Sequence, residues 1–136
     1  MCYTGDKNIV KERCFPITFL WTTIQVADLD RSLAFYHDLL GLPLHERFQG
    51  TGREIAMLGT ADGTKLELIC GDNPPPAPPA PGLSLGLGPE NMEQQLEALR
   101  RAGYAIPAPV SPNPSLRFYF IPDPDGYIVQ LVEQLG

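Results

Sequence analysis

The stretch DGYIVQLV (Asp125–Val132) repeats, 63 positions further along the chain, the pattern of DGTKLELI (Asp62–Ile69). Both stretches open with an Asp-Gly turn, share one leucine and continue as predicted strands. The same shift brings Gly41, at the end of one predicted helix, within one position of Gly103 at the end of another. We therefore interpret the chain as two copies of one supersecondary unit.

The first module, residues 17–70, is predicted to have the order β-α-β-β-β. Its first strand is Ile17–Val26, which is rich in β-branched and aromatic residues. Asp28 can cap the helix that follows, and Gly41 can end it. The apolar side of this helix is predicted to be Leu29, Leu33, Tyr36 and Leu40, and the three remaining strands Leu42–Phe48, Glu54–Gly59 and Lys65–Cys70.

The second module, residues 83–133, repeats this order. A short strand, Leu83–Leu87, precedes a helix that begins at Asn91, because Asn91 and Gln94 have the spacing of a capping box. Three strands are predicted after the helix: Tyr104–Ile106, Leu116–Ile121 and Tyr127–Val132. Four prolines, at positions 107, 109, 112 and 114, fill the loop between the first two of these strands.

A proline-rich segment, residues 71–82 (GDNPPPAPPAPG), separates the modules. It is predicted to be an extended, polyproline-like linker between two halves of one domain, and a ligand for a signalling domain is the alternative. Residues 1–15 form an N-terminal tail outside the modules, and both order and disorder fit its sequence. The chain is thus predicted to be one domain, residues 16–136, preceded by this tail.

The composition restricts the function. The 136 residues carry a net charge of −6, which argues against a nucleic-acid partner, since that would need a basic face. No stretch approaches the roughly 20 apolar residues that span a membrane. Three widely spaced cysteines indicate reduced thiols and a cytoplasmic location. The acidity fits ordinary surface charge or a pocket that prefers a cationic ligand.

Three stretches resemble the vicinal oxygen chelate superfamily, which includes glyoxalase I, bleomycin-resistance proteins and extradiol dioxygenases. They are VADLDRSLAFYHDLLGLPL (Val26–Leu44), ADGTKLELI (Ala61–Ile69) and FYFIPDPDGYIVQLVE (Phe118–Glu133). The resemblance implies an α+β, glyoxalase-like fold. In it, two tandem β-α-β-β-β modules form a curved eight-stranded mixed sheet with a central cup. It also implies a homodimer.

The resemblance further implies four metal-ligand positions, which in glyoxalase I carry histidine and glutamate. In this chain they map to Trp21, Glu67, Ser84 and Gln130, and the 63-residue repeat relates them in pairs. An indole has no lone pair to offer, and hydroxyl and amide oxygens are weak ligands, so only Glu67 could bind a cation strongly. We therefore expect no tightly bound metal and no cofactor, with a divalent metal held by other ligands left open. His37 and His45 fall outside the four positions and are expected to be solvated.

Strand alternation predicts which side chains line the cup. On the last strand, Ile128 and Gln130 are expected to share one face. On the preceding strand, Phe118 and Phe120 are expected to pack under the helix, so that Arg117 and Tyr119 face the cup. The repeat adds first-module counterparts of these residues. The predicted ligand-binding residues are Trp21, Glu54, Leu58, Glu67, Ser84, Arg117, Tyr119, Ile128 and Gln130.

Three functions fit this sequence. The first is a metal-free protein, like the bleomycin-resistance proteins, that binds a small organic ligand, with two carboxylates for a cationic one. The second is a glyoxalase I-like lyase or isomerase in which Glu67 is the catalytic base or the remaining ligand. The third is a non-catalytic interaction module whose cup is closed by Trp21. Glu67 is central to the choice, because a carboxylate between Leu66 and Leu68 needs a partner, a metal or a proton if it is buried.

Overall fold

The computed structural model of the chain describes residues 15–72, 75 and 81–135. The first half contains β1 (Trp21–Gln25), α1 (Leu29–Leu33, continued by a π-helical segment Ala34–Leu39), β2 (Leu44–Gly50), β3 (Arg53–Leu58) and β4 (Lys65–Gly71). The second half contains β5 (Ser84–Leu87), α2 (Met92–Arg101), β6 (Val110–Asn113), β7 (Leu116–Pro122) and β8 (Ile128–Gln134).

The two halves have the same topology. In the described residues, the eight strands form two four-stranded sheets with the orders β1-β4-β3-β2 and β5-β8-β7-β6. In each sheet the first strand pairs in parallel with the last, and the other pairs are antiparallel. The predicted α+β architecture is confirmed, with the eight strands divided between two mixed sheets.

Helix α1 begins as the sequence predicts. The Asp28 side chain accepts a hydrogen bond from the Arg31 backbone N–H at 3.1 Å, and Gly41, just beyond the helical segment, has a φ of +83°. In the π-helical turn, the Leu40 N–H donates to the Phe35 carbonyl at 2.9 Å. This wider turn lets Phe35 and Tyr36 both be buried, whereas a regular helical period predicted only Tyr36.

A single hydrophobic core joins the two halves. One face of each sheet packs towards the helices and contributes to it, as Leu68 and Leu131 illustrate, both almost inaccessible to solvent. The opposite face of each sheet, which we call the outer face, therefore points away from the core. No helix in the described part of the chain is long and apolar enough to span a membrane.

The turn before β8 fastens the second half to α1. The buried Asp123 accepts hydrogen bonds from the Tyr36 hydroxyl at 2.6 Å and from the backbone N–H groups of Asp125 and Tyr127, each at 2.8 Å. The neighbouring Asp125 side chain accepts from Arg31 Nη2 at 3.0 Å and from the Ala27 N–H at 3.3 Å. The Asp-Pro-Asp-Gly stretch thus links the two modules.

The Tyr36 hydroxyl provides a test of this link. The Tyr36→Phe variant is expected to lose about 1.5–3 kcal/mol in the free energy of unfolding, because a buried carboxylate oxygen loses its donor. Tyr127→Phe loses only a 3.0 Å bond to the Gln25 carbonyl and is expected to cost about 0.5–1.5 kcal/mol. Urea denaturation measures both values, and an equal or reversed order would contradict this account.

Two strand predictions are wrong. The predicted strand Ile17–Val26 begins only at Trp21. The residues before Trp21 are exposed, and the backbone hydrogen bond that joins them to β4 is the one from the Lys65 N–H to the Leu20 carbonyl. The predicted strand Tyr104–Ile106 is irregular, and Tyr104 and Ile106 pack against the core without strand pairing. The strand of this region is β6, inside the predicted proline-rich loop, where an edge position tolerates Pro112.

Some predictions concern residues outside the described part of the chain. The N-terminal tail is described only at Phe15, and the linker only at its ends and at Pro75. The domain limits and the polyproline form of the linker therefore stay predictions.

Candidate functional site

The strand register places Glu67 and Gln130 at equivalent positions of the two sheets. Glu67, on β4, is paired in parallel with Thr23 of β1, and Gln130, on β8, is paired in parallel with Gly86 of β5. Residues 63 positions apart thus occupy the same place in each sheet, as the repeat predicted. Because Leu68 and Leu131, the residues that follow Glu67 and Gln130, belong to the core, Glu67 and Gln130 lie on the outer faces.

Thr23 holds the Glu67 carboxylate. The Thr23 hydroxyl donates a hydrogen bond to Glu67 Oε1 at 2.6 Å, and Glu67 itself is half-buried. Thr23 was not among the predicted site residues, although its position two residues after Trp21 on the same strand indicates that it shares a face with Trp21. In the second sheet the corresponding residue is Gly86, which leaves the surface beside Gln130 open.

The other family positions, Trp21 and Ser84, also lie on the outer faces. Trp21 is paired with Lys65, two residues along the strands from the Thr23–Glu67 pair, and 48% of its surface is exposed. Ser84 is exposed and is paired with Ile128, which is 38% exposed. All four positions mapped from the family are therefore on outer faces, with Trp21 open to solvent.

The predicted direction of the β7 side chains is wrong. Phe120 is paired with Gln130 and therefore faces outward, and Phe118 is beside it on the same face with its ring centroid 6.4 Å away. Tyr119, which was expected in the cup, is paired with the core residue Leu131 and is itself buried in the core. Alternation gives two possible phases, and the pairing with Leu131 selects the one opposite to the prediction.

The predicted cup positions of Glu54, Leu58 and Arg117 are wrong for the same reason. Leu58 is a core residue with 1% of its surface exposed. Glu54 accepts a hydrogen bond from Arg47 Nη2 at 3.1 Å. Arg117 donates from Nε to Glu133 Oε1 at 2.9 Å, and this bond raises the pKa of the Arg117 guanidinium. These groups lie on the core side of the sheets or at their ends.

The outer faces combine apolar and aromatic side chains with polar ones, and the first sheet also carries charged side chains there, Lys65 and Glu67 among them. Met57 is paired directly with Glu67, and a depression of about 330 Å³ lies beside Trp21, bordered also by His45 and Lys65. A second depression of about 300 Å³ lies near the other end of β4 and is bordered by residues that include Arg53. The outer faces include Trp21, Thr23, Met57, Lys65, Glu67, Ser84, Gly86, Phe118, Phe120, Ile128 and Gln130.

The four family positions do not fit a catalytic divalent metal. Within residues 15–72, 75 and 81–135, no group of three or more His, Cys, Asp or Glu side chains is placed to hold a metal ion. The strong ligand in the set, Glu67, already accepts a hydrogen bond from a hydroxyl. His37, expected to be solvated, instead has Nδ1 2.6 Å from the Leu42 carbonyl, and His45 is exposed. A site with one carboxylate does not retain Zn²⁺ against water.

The sequence profile of the Glyoxalase/Bleomycin resistance protein/Dioxygenase superfamily matches residues 18–131. The chain belongs to this superfamily. That family assignment agrees with the resemblance found in the sequence and with the paired modules of the fold. Membership in the glyoxalase superfamily does not by itself identify the reaction or the ligand, since the superfamily name covers enzymes and resistance proteins alike.

One sequence relative and two solved structures illustrate what this glyoxalase-superfamily chain is similar to. The lactoylglutathione lyase of Haemophilus influenzae is 31% identical over 123 residues, covering 84% of this chain and 90% of the lyase. The structure of Leishmania major glyoxalase I has a TM-score of 0.72 at 24% identity, covering 86% of each chain. TnmS3, an antibiotic binding protein from Streptomyces sp. CB03234, has a TM-score of 0.67 at 21% identity, covering 88% of this chain and 98% of that one.

Proposed function

We propose that this chain binds a small organic ligand on the outer faces of its sheets, without a metal at the four family positions. The observation that carries the proposal is the 2.6 Å hydrogen bond from Thr23 to Glu67, which gives the one strong ligand of the set a neutral partner. A carboxylate held in this way retains acceptor capacity for a donor group of a ligand.

The chemistry of the outer faces favours a ligand with a cationic group and a flat apolar body. Glu67 supplies a negative charge, and Trp21 is an exposed aromatic surface of the kind that attracts cations. The Lys65 ammonium group on the same face is turned to the Ala61 and Gly63 carbonyls, to each of which it donates a hydrogen bond at 3.0 Å. Phe118 and Phe120 add aromatic surface beside the Gln130 amide, which can both donate and accept a hydrogen bond. Aromatic side chains with a few polar groups placed among them are typical of sites for small organic molecules.

We further propose that the chain acts as a cytoplasmic homodimer. The outer faces are partly open in a single chain, since Trp21 and Ile128 are 48% and 38% exposed. A second copy would cover these side chains and enclose a ligand between two surfaces. The free Cys70 and the relationship to lactoylglutathione lyases are consistent with a reducing compartment.

A lyase of the lactoylglutathione type is the second candidate function. The 31% identity to the Haemophilus influenzae enzyme favours it, and Glu67 would then be the base or the remaining ligand. The third hypothesis, an interaction module closed by its own side chains, loses support because Trp21 is half-exposed and does not close the face.

Metal analysis separates the first two candidates. The purified chain, dialysed against Ni²⁺ or Zn²⁺ and then against metal-free buffer, is expected to retain no stoichiometric metal, because Trp21, Ser84 and Gln130 are poor ligands. EDTA is expected to leave its melting temperature unchanged. One equivalent of retained metal, together with lyase activity on a hemithioacetal, would overturn the proposal and establish the lyase.

A gain-of-ligand variant serves as the positive control. Trp21→His, Ser84→His and Gln130→Glu, introduced together, give the four family positions two imidazole and two carboxylate ligands, with Glu67 as the fourth. This triple variant is expected to retain about one equivalent of Ni²⁺ for each set of four ligands. If it retains none while remaining folded, the four positions do not converge, and the site proposed here is misplaced.

A further inference from the structure

The helix side of the sheets carries a pocket that shares no lining residue with the outer faces. This depression, which we call the helix-side pocket, has a volume of about 490 Å³, within the roughly 300–1,000 Å³ of small-molecule sites. Its lining includes Arg31, Ala34, Phe35 and Asp38 of the first module and Tyr104 and Pro124 of the second. A molecule bound there would contact both modules beside the Asp-Pro-Asp-Gly turn that links them.

The π-helical segment Ala34–Leu39 forms one side of the helix-side pocket. Its wide turn is closed by the hydrogen bond from the Leu40 N–H to the Phe35 carbonyl. Residues four apart lie on one side of a helix, so Ala34 and Asp38 are neighbours along the pocket. Wide turns of this kind are frequent at functional sites, and the ligand site proposed for the outer faces does not use this one.

The body of the helix-side pocket is apolar and aromatic. The Phe35 ring lies 5.5 Å from the Tyr104 ring, measured between centroids, with 47° between their planes. Ala34 is exposed and carries only a methyl group, which leaves room for a ligand beside it. Pro124 adds a rigid apolar ring from the turn that links the modules. A flat apolar molecule fits such a lining, because aromatic side chains contribute large contact areas.

Charged side chains of opposite sign border the helix-side pocket. Arg31 donates from Nη2 to Asp125 at 3.0 Å, yet 50% of its side chain is exposed and its guanidinium has further N–H groups to donate. Asp38 is exposed and forms no ion pair with any residue that the structure describes. The two are seven residues apart on the helix, about 10 Å along its axis, with Ala34 between them.

We propose that the helix-side pocket is a second binding site, for a flat aromatic zwitterion. Its carboxylate pairs with Arg31, its ammonium group pairs with Asp38, and its ring lies against the apolar lining between them. This site goes beyond the function proposed above and does not depend on it. Because the ligand contacts both modules, it binds the folded chain in preference to the unfolded one and raises the melting temperature.

The probe is 4-(aminomethyl)benzoate, which carries a carboxylate and an ammonium group on opposite sides of one ring. The test variant, Ala34→Leu, fills the space beside the exposed Ala34 with a larger side chain. The matched control, Ala108→Leu, makes the same change at an exposed alanine outside the lining of the helix-side pocket. A second variant, Asp38→Asn, removes one charge from an exposed position and leaves the shape of the side chain nearly unchanged.

The native chain and Ala108→Leu are expected to bind the probe equally in a nuclear magnetic resonance titration. Ala34→Leu is expected to weaken binding at least about 10-fold and Asp38→Asn about 5- to 10-fold, because the first fills the site and the second removes a charged partner. Benzoate and benzylamine, which each lack one of the two charges, are expected to bind more weakly than the probe. Circular dichroism checks that both variants are folded.

Glu67→Gln separates the two sites. It is expected to leave the affinity for 4-(aminomethyl)benzoate unchanged, whereas Ala34→Leu is expected to leave unchanged the affinity for an outer-face ligand, the aromatic cation N-methylquinolinium. Native affinity for the probe in Ala34→Leu or in Asp38→Asn would overturn the helix-side site, as would a native chain that does not bind the probe. A loss of probe binding in Glu67→Gln would place the probe on the outer face, which overturns the second site and leaves the first standing.

Discussion

Replacing Asp123 by alanine is expected to lower the free energy of unfolding by about 3–5 kcal/mol, the largest single-residue effect in this account. The carboxylate accepts three hydrogen bonds, from the Tyr36 hydroxyl and from the N–H groups of Asp125 and Tyr127. Alanine leaves these donors without a partner in a site where Asp123 is only 5% exposed. The loss also frees the second module from α1, since Tyr36 belongs to the helical segment of the first.

Urea denaturation of Asp123→Ala and of a surface control measures this effect. Asp30→Ala is the control, because the Asp30 side chain is 81% exposed and its ion pair with Arg47 is expected to contribute less than about 0.5 kcal/mol. A cost at Asp123 below about 1 kcal/mol would show that the turn is not what joins the modules.

The pH dependence gives a second readout of the same residue. Burial raises the pKa of Asp123 above 3.8, although the hydrogen bonds from Tyr36, Tyr127 and Asp125 oppose this. The folded state therefore takes up the proton at a higher pH than the unfolded state. The stability that comes from this pKa shift is fully present below about pH 3.8, and it is lost as pH rises through the raised pKa of Asp123. The stability of the native chain relative to Asp123→Asn is expected to increase as pH falls through this range, and a constant difference would contradict the shift.

Replacing Glu67 by glutamine is expected to weaken binding of an aromatic cation, N-methylquinolinium, about 10- to 100-fold. Glutamine has the same shape and can still accept the Thr23 hydrogen bond, so the substitution removes the charge while keeping the fold. Naphthalene-1-sulfonate, a flat anion of similar size, is expected to bind the native chain more weakly than the cation. Isothermal titration calorimetry measures the three affinities.

Glu54→Gln is the matched control for Glu67→Gln. Both carboxylates were predicted to line the cup, but the structure places Glu54 on the other side of its sheet, hydrogen-bonded to Arg47. Its replacement is expected to leave the affinity for N-methylquinolinium within about twofold of the native value, since an exposed charge away from the site is largely screened. An equal loss in both variants would mean that overall charge, and not Glu67, determines binding.

The repeat was enough to predict the pairing of equivalent positions. Two residues 63 positions apart, Glu67 and Gln130, lie at the same place in the two sheets, and Gly41 and Gly103 both have the positive φ that ends a helix. These features depend on the local residue pattern and on the residues of the turns, and both can be identified in a single sequence. The family resemblance then gave the α+β fold correctly.

The side chains that line the site were harder to predict, because which residues face outward depends on how the strands pair with one another. Alternation along β7 allows either the Phe118 and Phe120 side or the Tyr119 side to face the core, and phenylalanine is the more apolar choice. The structure selects Tyr119 because it is paired with Leu131. Thr23 was missed because its role arises from a partner 44 residues away, on a strand with which it pairs in parallel.

Titration of EDTA-treated protein with N-methylquinolinium, with and without added Ni²⁺, tests the central proposal of metal-free ligand binding most directly. We predict the same affinity under both conditions and a loss of affinity in Glu67→Gln, because the carboxylate held by Thr23 binds the cation itself. Binding that requires Ni²⁺, or no binding of the cation under either condition, would contradict the account.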